Sequence, residues 1–130
     1  MSAAGVRLVG EMYDAFARRD ATAVLERLHP DVEIRQSELV PWGGHYRGHE
    51  GAREFFGRVL GAIDSTVTIE RFIDAGDHVA AVGRTRGHIR ASGAAFDAAV
   101  VHVWTERDGR LARLEVYIDV PAMQAALGAA

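Results

Sequence analysis

The chain has 130 residues, with 15 arginines and no lysine against 18 Asp and Glu, a formal net charge of −3. That length suffices for one core, and the near balance leaves no positive field to hold a nucleic-acid backbone or an anionic membrane. The absence of cysteine excludes disulfide frameworks, thiolate nucleophiles and thiolate metal sites together.

The opening MSAAGVRLVGEMYDAF has Arg7 and Glu11 inside its apolar stretch, so it reads as neither signal peptide nor membrane span, and a cytoplasmic location is the expectation. Val6, Val9, Met12, Tyr13, Phe16 and Ala17 recur at helical spacing and predict a helix over 3–19 with one buried face. Asp20 stands where an N-cap belongs and opens a short second helix over 21–28, which His29-Pro30-Asp31 stops. Val32 to Arg35 alternates as a half-buried strand, Pro41-Trp42-Gly43-Gly44 is a loop, and a third helix follows over about 49–60.

From Ser65 the period changes to two. Four strands are predicted at about 66–73, 78–91, 95–106 and 110–120, joined by short glycine-bearing links as in antiparallel hairpins. A last helix over 121–127 starts at Pro121, where a missing N–H costs nothing. No linker, repeat or low-complexity segment divides the chain, so one domain spanning 1–130 is expected. Helices followed by a run of strands predict an α+β fold: a cone-shaped curved antiparallel sheet of four or five strands packed against N-terminal helices. Three helices do not fill a strongly curved concave face, so a cavity for a small, largely apolar molecule is predicted there.

The residues Tyr13-x-x-Phe16-x-x-x-Asp20, Leu28-x-x-Asp31-Val32, Pro41-Trp42-Gly43-Gly44-x-Tyr46-Arg47-Gly48, Asp108-Gly109-Arg110 and Tyr117-x-Asp119 resemble the SnoaL-like, ketosteroid isomerase-related branch of the nuclear transport factor 2-like superfamily. The resemblance implies a cystatin-like α+β barrel hosting isomerases, cyclases, epoxide hydrolases or proteins without chemistry. Ketosteroid isomerase uses an Asp base with a Tyr and a protonated Asp as donors; counted along the shared landmarks, these positions fall at Met12, Gln36 and near Val101, with Tyr13 one residue away. Limonene-type epoxide hydrolases imply an Arg-x-Asp, here Arg84-Thr85-Arg86, and a terminal Asp, here Asp119. SnoaL-type polyketide cyclases imply one acid/base Asp on the last strand, again Asp119. An acid/base enzyme of cyclase or isomerase type is therefore the leading expectation, with a non-catalytic binding protein or an epoxide hydrolase with an altered acid as alternatives.

On this reading Asp119, His102 and Arg84 are candidate catalytic groups, and Tyr13, Phe16, Gln36, Trp42, Phe56, His88 and Tyr117 candidate substrate contacts. Asp119 has a rival role as N-cap of the last helix. Leu114, Val116 and Ile118 look core-facing, which turns Tyr117 and Asp119 away unless a bulge intervenes. His102 shares a strand face with Trp104, a pair that packs as readily as it reacts. His45 and His49 have helical zinc spacing but lack a third ligand, so no metal and no cofactor are expected. The run Ala98 to Val103 with Trp104 is a candidate patch for a homodimer through the sheet face.

Overall fold

A computed structural model describes residues 3–128. Helix α1 (Ala3–Ala17) and the short α2 (Ala21–Arg27) precede strand β1 (Leu28–Gln36), strand β2 (Gly44–Arg47) and helix α3 (Gly48–Ala62). Four long strands follow, β3 (Ile63–Ala75), β4 (His78–Ile89), β5 (Ala95–Arg107) and β6 (Arg110–Ile118), and α4 (Val120–Leu127) closes the described chain. The strands form one curved sheet in the order β2-β1-β6-β5-β4-β3, with the helices in a second layer.

The α+β class holds, with corrections. The sheet has six strands, and it is mixed: β1 runs parallel to β6 while all other neighbours are antiparallel. His45 to Arg47 was too short to announce itself as a strand; it exists because Ile34 and Tyr46 pair across β1 and β2. His29-Pro30-Asp31 does not break the chain but lies within β1, at a register shift between Leu28 and Glu33 where the proline needs no ladder bond. Helix α1 stops at Ala17 because Arg19 turns left-handed (φ 55°) and the Asp20 N–H caps Ala15. Asp20 then caps α2 through Ala23 N–H at 3.0 Å, as its sequence position implies.

Curvature has a local cause. A Cβ on Gly83 or Gly87 would come within 2.0 or 1.9 Å of the Thr68 or Asp64 carbonyl oxygens, so only glycine lets β4 bend so tightly over β3, where the register also shifts between Ile69 and Arg71. The core lies inside the bend. Val9, Met12 and Ala15 of α1 and Phe55 of α3 pack over Ile34, Val79, Trp104 and Leu114, the helical stripe facing the inner positions of alternating strands.

Candidate functional site

Strand register assembles the inner face. Gln36 pairs with Val116, Val116 with His102, His102 with Ala81 and Ala81 with Phe72. These five residues form one row across five strands, and directly opposed residues share a face. Tyr13 reaches this row from α1: its hydroxyl lies 2.5 Å from His102 Nδ1, and Trp104 Nε1–H donates to the same oxygen at 3.0 Å. The Tyr13 and His102 ring planes are 6° from parallel, with centroids 5.8 Å apart. Phe16 and Phe56, 5.3 Å apart between centroids, continue the aromatic wall from Tyr13.

The Tyr13 oxygen accepts from Trp104, an indole that can only donate. The direction of its hydrogen bond with His102 Nδ1 follows the imidazole tautomer. Burial favours neutral forms: it lowers the pKa of His102 to about 4 and raises that of Tyr13, the latter against the hydrogen bond from Trp104. Tyr13, Phe16, Phe56, His102, Val116 and Ile118 all keep partial exposure, so the helix layer does not seal this face. Gln36, at the other end of the row from Phe72, is 8% exposed.

With this geometry in view, the comparisons with known proteins are decisive for the family. The sequence profile of the SnoaL-like domain matches residues 9–114. The chain belongs to the SnoaL-like family. An NTF2-like protein of unknown function from Burkholderia pseudomallei is similar over 99% of this chain and 100% of its own, at 29% identity and a TM-score of 0.89. One from Burkholderia thailandensis is 30% identical over 95% and 96% of the two chains, with a TM-score of 0.87. TerC, crystallised with polyporic acid, is 29% identical over 97% and 99%, with a TM-score of 0.87. No curated protein matches the sequence.

Within this SnoaL-like domain Met12 lies fully buried in the core and Val101 pairs with Tyr117 on the outer face, while their neighbours Tyr13 and His102 meet each other on the inner face. A landmark count cannot resolve one residue, whereas one residue moves a strand side chain to the opposite face.

Several expected site residues lie elsewhere. Arg84 and Arg86 both stand on the outer face and clasp Asp97, at 2.7 and 3.1 Å, holding its carboxyl below the usual range. An Arg84-based epoxide site would therefore open on the side away from the helices. His88 is exposed on that outer face, two strand positions beyond Arg86. Tyr117 is 55% exposed and donates to Glu115, whose carboxylate raises the phenol pKa; no bulge turns the end of β6. Asp119 is exposed and caps α4, accepting from Ala122 N–H at 3.2 Å. Trp42 is no lid: it is 3% exposed, and its carbonyl accepts from Tyr46. Trp104, expected on the dimer patch, is fully buried on the inner face.

Two clefts are present whose linings do not include Tyr13 or His102. One of about 360 Å³ runs along the ends of β1 and β6 and is lined by Gln36, Val116 and Ile118 of the inner row as well as by Arg35, Glu115 and Tyr117; the other, about 310 Å³, lies between Trp42 and Arg58. His45 is held by Glu33 at 3.0 Å and His49 donates to Leu28 O at 2.9 Å. Among the described residues no group of three His, Asp or Glu side chains could hold a metal ion. None of their helices is long and apolar enough to cross a membrane.

Proposed function

We propose that this SnoaL-like domain binds a small, largely apolar cyclic molecule on the inner face of the sheet and acts on it as a cyclase or isomerase, with His102 rather than Asp119 as its central polar group. One observation carries this reading: the Trp104–Tyr13–His102 hydrogen-bond chain faces the helices among aromatic side chains, whereas Asp119 is committed to α4. TerC, the relative crystallised with polyporic acid, supplies the first probe. Such a reaction asks the protein chiefly to fold the substrate into a reactive pose and to polarise it.

The test is calorimetric titration with polyporic acid, with mass spectrometry of the recovered compound. His102→Ala is expected to lose binding, and Asp119→Asn to keep it. The reverse pattern would restore Asp119 and sink this assignment. A purely binding role is the second reading. It is favoured by the carboxylates of the central strands, Glu33, Asp97 and Glu115, which all lie in register with outward positions; recovery of polyporic acid unaltered after tight binding would select it.

The outer face also supports a proposal. Val82, Val101 and Val103 are part-exposed there, rimmed by Arg84, Arg86 and Asp97. We propose that this surface meets a second copy of the chain in a homodimer. Val101→Glu should then give a monomer in sedimentation; a wild-type protein that is already monomeric at every concentration would refute it.

A further inference from the structure

We infer that the cleft of about 360 Å³ at the ends of β1 and β6 is a second binding site, and that it takes a small aromatic monocarboxylate, with the carboxylate on Arg35 and the ring against Tyr117. The inference is independent of the inner-face reading, because neither Tyr13 nor His102 lines this cleft.

Charge singles out Arg35. It is exposed and lines the cleft, yet it forms no ion pair or hydrogen bond within the described residues. Two carboxylates stand near it on the sheet, and both are taken. Glu115, its direct neighbour on β6, lies 3.2 Å from Arg113 and accepts from the Tyr117 hydroxyl at 2.5 Å. Glu33, two residues earlier on β1, is held by His45 at 3.0 Å and by Arg47 at 3.8 Å. The lining thus sets the guanidinium groups of Arg35 and Arg113 against the carboxylate of Glu115. The group left over, on Arg35, is a planar fork of donors that matches a carboxylate through two parallel hydrogen bonds. Glu115 limits the ligand from the other side, since its own charge opposes a dianion and favours one negative charge over two.

The apolar part of the lining supplies the second support. Val116, Ile118 and Val120 are half-buried there, and Tyr117, although 55% exposed, has its hydroxyl tied to Glu115. That bond fixes the phenol, whose ring is left for a second ring to stack on. An exposed ion pair alone contributes little, so the burial of a ring against these side chains must carry much of the affinity. The volume stands at the small end of ligand pockets and suits one ring or two fused ones. Arg35 stands two strands from Val103 of the proposed dimer patch, so the two surfaces are probed by different substitutions.

The probe is 2-naphthoate, with 2-naphthamide as its neutral counterpart and inorganic phosphate as an anion without a ring, each titrated at low salt into protein labelled with nitrogen-15. Naphthoate should shift the backbone amides of Arg35 to Ser37 and of Tyr117 and Ile118. Naphthamide and phosphate should bind about tenfold more weakly, the size of one charge-assisted hydrogen bond, and Arg35→Gln should lower naphthoate affinity by about the same factor. Glu115→Gln removes the opposing charge and should raise that affinity, a gain that a misfolded variant does not give. Naphthamide or phosphate binding as tightly as naphthoate overturns the inference, as does an affinity left unchanged by either substitution. The absence of any shift at millimolar naphthoate overturns it as well. Shifts confined to Tyr13, His102 and Trp104 overturn it while supporting the inner-face reading.

Discussion

Strand β5 carries two chemistries on alternate residues. His102 and Trp104 face inward, where Tyr13 joins them in a hydrogen-bond chain shielded by α1; Asp97 faces outward and is gripped by Arg84 and Arg86 in full view of solvent. The outer cluster has the greater charge and the shorter list of consequences. Exposed ion pairs are screened and contribute little, whereas a buried polar group left without its partner keeps its whole desolvation cost. The difference teaches that on this sheet the neutral pair, not the ionic one, is the arrangement the fold must maintain.

Substitutions along the two faces test that contrast. The largest effect is expected at Trp104, which is fully buried: Trp104→Ala removes its packing and one donor, and should lower unfolding free energy by about 4 kcal/mol in urea denaturation. Next comes pH. An unfolded histidine titrates near 6.5, whereas burial takes His102 to about 4, so between these values the unfolded chain holds a proton that the folded chain lacks. Stability is therefore complete above the unfolded value and declines as pH falls toward the folded one, by up to about 3 kcal/mol from this residue. Urea midpoints of wild type and His102→Phe, compared at about pH 7 and about pH 5, should show a shallower loss in the variant; parallel losses would mean that His102 is not held neutral.

Asp119 gives a smaller effect of a different kind. Asp119→Ala should lower stability by about 1 kcal/mol through loss of the α4 cap, while Asp119→Asn, an equivalent cap, should change it by less than about 0.5 kcal/mol. A large loss in the asparagine variant would show that the charge, not the cap, is what this position supplies. Smallest of all is Asp97→Asn, at the rim of the outer patch, for which the urea midpoint is expected to stay where it is; a clear fall would mean that the Arg84 and Arg86 pairs contribute more than solvent-screened ion pairs do.

Much of the fold was legible because its signals are local. The stripe of Val9, Met12 and Phe16 announced α1, Asp20 its successor, and the change of period after Ser65 the four long strands, since side-chain periodicity follows from backbone geometry alone. Strand β2 was not legible, because four residues without strong alternation form a strand only when β1 offers a partner. The parallel pairing of β1 with β6 was hidden for the same reason: those strands are about eighty residues apart in the chain, and no local pattern encodes which distant edge a strand will meet.

The site divides along that line. Of the residues in the proposed site, Tyr13, Gln36 and His102 could be picked from the sequence, as could the rival roles of Asp119 as acid or cap, whereas Trp104 read as part of a dimer patch. Composition also removed thiolate chemistry outright. Only the tertiary structure decided which of them meet. One-residue parity sends Val101 out and His102 in, the end of β6 stays regular and leaves Tyr117 in solvent, and α1 crosses the sheet where Tyr13 can reach the imidazole. The sequence by itself determined an inventory of groups and a curved sheet under helices; proximity between α1 and β5, separated by about ninety residues, is a property of packing, because burial brings together whatever apolar faces the whole chain must hide from water.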